Sequence, residues 1–231
     1  MTSTLVKVAA LGAVAAGARR YYRNWGATKE ECRAELSGDE LISEPAIVNT
    51  NAVWIDATPE VIWQWLVQIG QDRGGLYSYE TLENLFGLHI RNADSIHPEW
   101  QSLEVGDMVR LVPKGWLGIR NGLALPVVES SPPRHIVVRE QEPDTPWDAV
   151  WSFHIIPHWE DRCRLVIRSR QHRRQLLDVI GAEFAGPVTA LMTRKMLLSI
   201  QFRAESEYSL RLEATQTRLG RLRETTNGAL T

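Results

Sequence analysis

The segment QIGQDRGGLYSYE, from Gln68 to Glu80, carries paired glycines, an arginine, two tyrosines and two acids within thirteen residues. A phosphate-binding loop would need GxxxxGK[ST] after a strand, or GxGxxG between a strand and a helix. Neither spacing occurs, and these glycines follow a helical pattern. We therefore expect a glycine turn where Arg73, Tyr77 and Tyr79 either point polar ends at a ligand or brace the corner between two helices.

A long polar connection, residues 88–103, holds candidates for proton transfer. Histidine has an unperturbed pKa near neutrality, which suits a general acid or base. His97, three residues after Asp94, is the first such candidate, and a surface loop histidine is the alternative interpretation. Tyr79 and Glu80 complete the set of catalytic candidates.

Several classes of function are disfavoured by what the sequence lacks. The six histidines and two cysteines show no CxxC spacing and no HxxxH or HExxH pair on a predicted helix, so we predict no metal site and no cofactor. A GxSxG elbow, which would indicate a serine nucleophile, is absent. Nucleic acid is not expected as a partner, because the net charge is -2 and the basic run at residues 168–174 has no interleaved aromatic residues.

The elements that must position these groups begin with a strand and two helices. Residues 46–57 predict the strand, and Thr58 is the predicted N-cap of a helix that ends at Gly70. A second, short helix is predicted over residues 78–86, with Ser78 as its cap.

Short strands broken by turn residues then favour an antiparallel meander. In the fourth of these strands, Trp151 and Phe153 face one side and His154 faces the other. The predicted strands are residues 107–112, 124–130, 135–141, 147–156 and 162–171.

A long C-terminal helix is predicted from about Gly186 to Arg211 or beyond. The whole order is α+β. A sheet of so few strands cannot close on itself, so we expect this helix to cover its concave side and to leave a cavity between. The predicted inner stripe of the helix is Val188, Leu191, Met192, Lys195, Leu198 and Phe202.

The segment VWIDATPEVIWQWLVQIGQDRGGLYSYETLENLFG, residues 53–87, resembles the pattern APPEVVWPWLVQIGxGRGGWYSYDxLE of actinobacterial SRPBCC proteins. These belong to the START/Bet v 1-like superfamily, with polyketide cyclases/dehydrases and lipid-transfer domains. Leu76 and Glu80 stand where that pattern has Trp and Asp. The resemblance covers residues 46–212 and implies a helix-grip fold: a curved antiparallel sheet wrapped around a long C-terminal helix, with two short helices after the first strand. That family has seven strands, so one is missed or merged around residues 116–123.

The resemblance implies a ligand-holding cavity, although fold alone does not specify activity. We predict binding or transport of a hydrophobic small molecule, such as a lipid, polyketide or isoprenoid. Trp65, Trp151, Phe153 and His154 are the predicted cavity-lining residues, joined by Arg73, Tyr77 and Tyr79 at the polar end. The alternative is an enzyme of cyclase, dehydratase or lyase type, which needs two titrating groups held close together.

The N-terminal segment allows three interpretations. Residues 5–18 are apolar apart from Lys7 and precede RRYYR, but fourteen residues are too few to span a bilayer comfortably. A helix lying on an anionic membrane surface through residues 5–23, a cleaved signal, and a docked or disordered helix all fit this pattern. A membrane-associated interaction protein is therefore a third candidate function.

We predict three parts for the chain: an apolar and basic segment at 1–27, a START-like ligand-binding domain at 28–215, and a flexible tail at 216–231. A cytoplasmic location is expected, with membrane association as the alternative.

Overall fold

A six-stranded antiparallel sheet and a long C-terminal helix form the body of the protein. The structure is a computed structural model, and it describes residues 2–116, 119–140, 147–173 and 176–228. The strand order is β1-β6-β5-β4-β3-β2, a meander from β2 to β6 with β1 added beside β6. The strands are β1 (Ile47–Ile55), β2 (Met108–Val112), β3 (Leu123–Ser131), β4 (His135–Arg139), β5 (Trp147–Trp159) and β6 (Arg162–Arg173).

The helices complete a helix-grip arrangement, as predicted. Two short helices follow β1, and the last helix packs against β1, β6 and α3. The helices are α1 (Thr2–Arg23), α2 (Lys29–Arg33), α3 (Pro59–Leu66), α4 (Glu80–Leu85) and α5 (Leu176–Gly228).

The predicted strands are all confirmed, but two predicted helix ends are wrong. α3 ends at Leu66 rather than Gly70. Ser78 does not cap α4: the N-cap is Tyr79, because the Ser78 hydroxyl is hydrogen-bonded to the Glu83 carboxylate instead. Residues 117 and 118 lie outside the described chain. In the described part of residues 116–123 there is no seventh strand, and residues 119–122 belong to the turn between β2 and β3.

The predicted inner stripe of α5 is wrong for four of its six residues. Val188, Leu191, Leu198 and Phe202 are exposed, whereas Met196, Leu197, Ile200 and Ala204 are buried in the main core. At 3.6 residues per turn these two sets lie on roughly opposite sides of the helix. Periodicity finds an apolar stripe on such a helix but cannot decide which of two stripes meets the sheet. α5 is also longer than predicted, since residues 216–228 continue it where a flexible tail was expected.

The end of α1 is tied to the sheet. The Asn51 amide donates to the Arg23 carbonyl at 3.5 Å, the Ala52 N–H donates to the Trp25 carbonyl at 3.2 Å, and the Arg194 guanidinium lies 4.8 Å from the Trp25 ring centre. These contacts join the end of the predicted 1–27 segment to the sheet and to α5. Within the described residues, no helix combines the length and the apolar content that crossing a bilayer requires.

The face of the sheet that points away from α5 is covered by the segment between α1 and β1. Arg168, the first member of the basic run, is only 2% exposed there. Its guanidinium donates to the Asp39 carboxylate at 2.5 Å, to the Ala34 carbonyl at 2.7 Å and to the Thr50 hydroxyl at 3.2 Å. A buried arginine satisfied in this way holds the covering segment on the sheet.

Replacing Arg168 by methionine should therefore lower the free energy of unfolding by about 3–5 kcal/mol, because the Asp39 carboxylate loses the nearer of its two arginine partners and the Ala34 carbonyl loses its donor. Urea denaturation measures this change. The control is Arg211→Gln, which removes an exposed pair with Glu207 four residues away in α5 and should cost less than about 1 kcal/mol. Equal effects of the two substitutions would contradict the role given to Arg168.

Candidate ligand cavity

The sheet and α5 leave between them a cavity of about 280 Å³. Most of its wall is apolar, and its polar atoms come from a few hydroxyl, amide and carboxyl groups. The apolar lining residues are Leu76, Leu111, Leu123, Leu125, Ala149, Val150, Trp151, Met192 and Met196. The polar lining residues are Ser78, Glu140, Ser169, Gln171, Thr189 and Thr193.

Local structure explains why these side chains converge. Leu123 and Leu125 alternate along β3 and so face the same side of the sheet. Thr189, Met192, Thr193 and Met196 follow the i, i+3, i+4, i+7 spacing of one helix face. Further along α5 the helix is in close contact with the core, so the cavity is confined to the first part of the described helix face.

One buried polar pair adjoins the cavity wall. The Ser78 hydroxyl donates to Glu83 Oε1, and the two residues are 3% and 1% exposed. Glu83 Oε2 is buried without a hydrogen-bond partner among the residues described. Burial raises the pKa of Glu83, and the hydrogen bond from Ser78 opposes that shift. The pair can hold a proton next to an apolar space.

No sequence pattern predicted this pair. Ser78 has the position of a helix cap, and Glu83 falls among the leucines of α4 without any motif spacing. Glu140, a buried acid on the cavity wall, was missed for the same reason. A carboxyl between apolar residues is a weak signal, since it could equally lie on the solvent side of its element.

A second hollow, open and polar, lies beyond Ser78. It has a volume of about 670 Å³ and is formed by the start of α4, the loop after it and the middle of α5. Ser78 lines both hollows. The other lining residues are Tyr79, Glu80, Thr81, Asn84, Ile90, Arg91, Asn92, Asp94, Lys195, Ser199 and Arg203.

The predicted site residues divide between these spaces and the core. Trp151 lines the apolar cavity, and Tyr79, Glu80 and Asp94 line the polar hollow. Trp65 is 2% exposed and belongs to the core, although it was predicted on the cavity wall. Its ring packs edge-on against the Tyr77 ring, with 6.2 Å between the ring centres, because this face of α3 points into the core.

Arg73 and Tyr77 brace the corner after α3. The Arg73 guanidinium donates to the carbonyls of Trp100 and Ser102 at 2.6 and 2.9 Å. The Tyr77 hydroxyl is fully buried, where it donates to the Trp65 carbonyl at 3.0 Å and accepts from the Gln68 amide at 2.9 Å. Burial raises the pKa of Tyr77 to about 12. Of the two roles considered for these residues, the structure places them in the bracing one.

Gln68 is the residue that joins this corner to the long loop, and sequence reasoning missed it. Its amide nitrogen also donates to the Ser95 carbonyl at 3.1 Å, and its oxygen accepts from the His97 N–H at 3.1 Å. The side chain is completely buried. An inward-facing glutamine near the end of an apolar helix is the only sign of this role in the sequence.

The paired glycines permit close backbone contacts rather than ligand binding. A Cβ on Gly74 would lie 2.6 Å from the Gln68 carbonyl oxygen, and one on Gly75 would lie 2.6 Å from Asn92 Oδ1. Gly75 also has a φ of +78°, in the left-handed region that favours glycine. These contacts seat the long loop against the turn.

His97 and Asp94 are not brought together, contrary to their prediction as an acid–base pair. His97 Nδ1 lies 3.2 Å from Glu99, and its ring stacks on Trp100 at 4.3 Å. The Asp94 carboxylate is 91% exposed and faces Arg203 at 3.6 Å. A short helical turn after His97 directs the two side chains to different partners.

His154 and Phe153 do not line the cavity either. Phe153 is buried in the main core and packs against Trp151 at 4.5 Å. His154 points to the opposite side of the sheet because side chains alternate along β5. There it lies beside His135, with 5.7 Å between ring centres. Burial, with help from the positive charges of His135 and Arg168, lowers the pKa of His154 to about 4.

Comparison with known proteins adds little to this geometry. No protein-family model and no curated protein sequence matches the chain. Similar solved structures include a conserved protein from Geobacillus kaustophilus, with 13% identity over 70% of this chain and 97% of its own and a TM-score of 0.41. Norcoclaurine synthase from Thalictrum flavum has 16% identity over 73% and 95%, with a TM-score of 0.40. Scores of this size carry no information on function, and the SRPBCC family stays a prediction.

Replacing Tyr77 by phenylalanine should destabilise the protein by about 1–3 kcal/mol, because the buried Trp65 carbonyl and Gln68 amide lose a partner. Tyr79→Phe is the matched control, since Tyr79 is 38% exposed and should change stability by less than about 0.5 kcal/mol. Chemical denaturation of both variants tests this. A harmless Tyr77→Phe substitution would show that the corner does not depend on that hydroxyl.

His154 should make the fold sensitive to acid. Its pKa of about 4 in the fold lies below the ordinary 6.5, so its neutral form contributes stability that is complete above about pH 6.5. That contribution is lost as the pH falls toward 4, by about 3 kcal/mol at most. The pH dependence of the unfolding free energy should be shallower in His154→Gln, whereas the exposed control His172→Gln should keep the original dependence. An unchanged slope in His154→Gln would exclude this source of acid sensitivity.

Proposed function

We propose that this protein binds or carries a hydrophobic small molecule in the cavity between the sheet and α5. The observation that carries the proposal is the apolar wall itself, to which β2, β3, β5 and α5 all contribute. Transfer of apolar surface from water into such a space is the main source of affinity for small ligands.

The volume of the cavity limits the size of the ligand. At about 30 Å³ for each water-sized group, 280 Å³ has room for about nine such groups. This supports a short isoprenoid or a medium-length chain more than a complete diacyl lipid. Each buried methylene contributes about 0.8 kcal/mol before the entropic cost of association is subtracted.

The few polar groups on the wall supply orientation. Ser78, Thr189 and Thr193 bring hydroxyl groups to a mainly apolar wall. Each of these hydroxyls already donates its hydrogen within the protein, to Glu83, to the Ala185 carbonyl and to the Thr189 carbonyl respectively, so toward a ligand each can act as an acceptor. We therefore expect a ligand that is mainly hydrocarbon with a small number of oxygen atoms.

An acid–base enzyme in the same cavity is the second candidate. The Ser78–Glu83 pair is the observation in its favour, because burial raises the pKa of the Glu83 carboxyl and so favours a protonated form that can donate a proton. The support is weaker than for binding, since the residues first predicted for this chemistry, His97 and Asp94, have separate partners.

Peripheral membrane contact through residues 5–23 stays a separate prediction. Val6 and Val14 are exposed on α1 and would suit the apolar side of such a contact. Binding in the cavity does not require it.

Replacing Met192 by tryptophan should fill the cavity and weaken ligand binding by about tenfold or more, because the indole occupies the ligand's space. The matched control is Leu191→Trp. Leu191 is the neighbouring residue on α5 and its side chain is exposed, so this substitution should leave binding unchanged. Displacement of a neutral phenyl-naphthylamine dye by octanol measures affinity in both variants.

Native mass spectrometry of protein purified from its own host provides a second measurement. A co-purifying apolar molecule should be present in the unmodified protein and in Leu191→Trp, and should be lost in Met192→Trp. Equal dye affinity in all three proteins would contradict binding at this cavity.

A further inference from the structure

The apolar cavity and the polar hollow are neighbours along α5. Met192 and Met196 face the cavity, and Lys195 and Ser199, on the next turn, face the hollow. Ser78 lines both spaces and is the wall residue that they share. A molecule that extends from the cavity past Ser78 therefore enters the hollow that Lys195 lines.

The charges of the hollow favour an anion. Its two acids are already engaged: Glu80 accepts the Asn92 N–H at 2.5 Å, and Asp94 faces Arg203 at 3.6 Å. Lys195 is half-buried, and no carboxylate of the described residues lies within salt-bridge distance of its ammonium group. The ammonium group lies 5.8 Å from the centre of the Tyr79 ring. A half-buried ammonium without a carboxylate partner can gain from an incoming anion.

The hollow is also held in shape before any ligand arrives. Asn92 accepts the Tyr77 N–H at 2.6 Å and donates to the Ser78 carbonyl at 3.1 Å. Arg203 donates to the Ala93 carbonyl at 2.9 Å, which holds the loop against α5. Binding at a site that is already ordered avoids the entropic cost of arranging it.

We propose that the ligand is an amphiphile with one anionic end group, which pairs with Lys195 while the apolar body occupies the cavity. This inference rests on the proposed function and adds the charge of the ligand to it. Neutral molecules of the same length bind through the apolar body alone, and cationic ones are repelled. Lys195 is thus the residue assigned to the end group, since Arg203 already faces Asp94 and Arg91, the third cation of the hollow, is exposed.

The test compares octanoate, octanol and octylamine as competitors of the neutral dye at about pH 8, where octanoate carries a negative charge and octylamine a positive one. The unmodified protein should bind octanoate about fivefold more tightly than octanol, the upper range for a partly exposed ion pair, and octylamine more weakly than either. Lys195→Gln should remove the preference for octanoate and leave octanol unchanged. Lys195→Arg should retain the preference.

The charge-matched control is Lys29→Gln, an exposed lysine of α2 that lines neither hollow. It should behave as the unmodified protein does. Equal affinity for octanoate and octanol, or an unchanged preference in Lys195→Gln, would overturn the assignment of Lys195 while leaving cavity binding intact. Failure of all three competitors to displace the dye would instead overturn both this inference and the proposed function.

Discussion

The partial contact between α5 and the sheet is the constraint on which the rest of the structure depends. Leu197, Ile200 and Ala204 are completely buried where the helix meets the core. Before that point its inner face carries threonine and methionine, and it does not reach the strands opposite. A curved sheet of six strands is wider than one helix can cover. The cavity is the remaining space, so its position follows from where α5 makes close contact.

The corner after α3 fixes the other side of that space. Gln68 and Tyr77 link the end of α3 to the long loop through buried hydrogen bonds, and the two glycines allow the loop to approach closely. Since the Gln68 and Tyr77 side chains are both buried and both have specific hydrogen-bond partners, the corner has little freedom to rearrange. It thereby places Ser78 on the wall between the apolar and polar hollows, where a ligand would meet its first polar group.

The two faces of the sheet carry different side chains in different surroundings. Toward α5 the strands present leucine and tryptophan to a space that is only partly filled. On the opposite side they present Arg168 and His154, which are buried by the segment between α1 and β1. The Arg168 guanidinium is stable there because that segment supplies the Asp39 carboxylate and the Ala34 carbonyl as partners. The proposed ligand cavity and the buried polar contacts thus lie on opposite faces of the same sheet.

The sequence by itself determined the element order, the strand alternation and the presence of a cavity, because periodicity and turn chemistry are local properties of the chain. It placed Trp151 on the cavity wall through that alternation. Only the tertiary structure decided which stripe of α5 faces inward, that His97 and Asp94 have separate partners, and that Ser78 and Glu83 share a hydrogen bond. Those outcomes depend on contacts between residues whose spacing follows no local period. The segment from Gln68 to Glu80 illustrates both contributions. Its glycines predicted a turn, but only the packing showed that Arg73 and Tyr77 brace a corner.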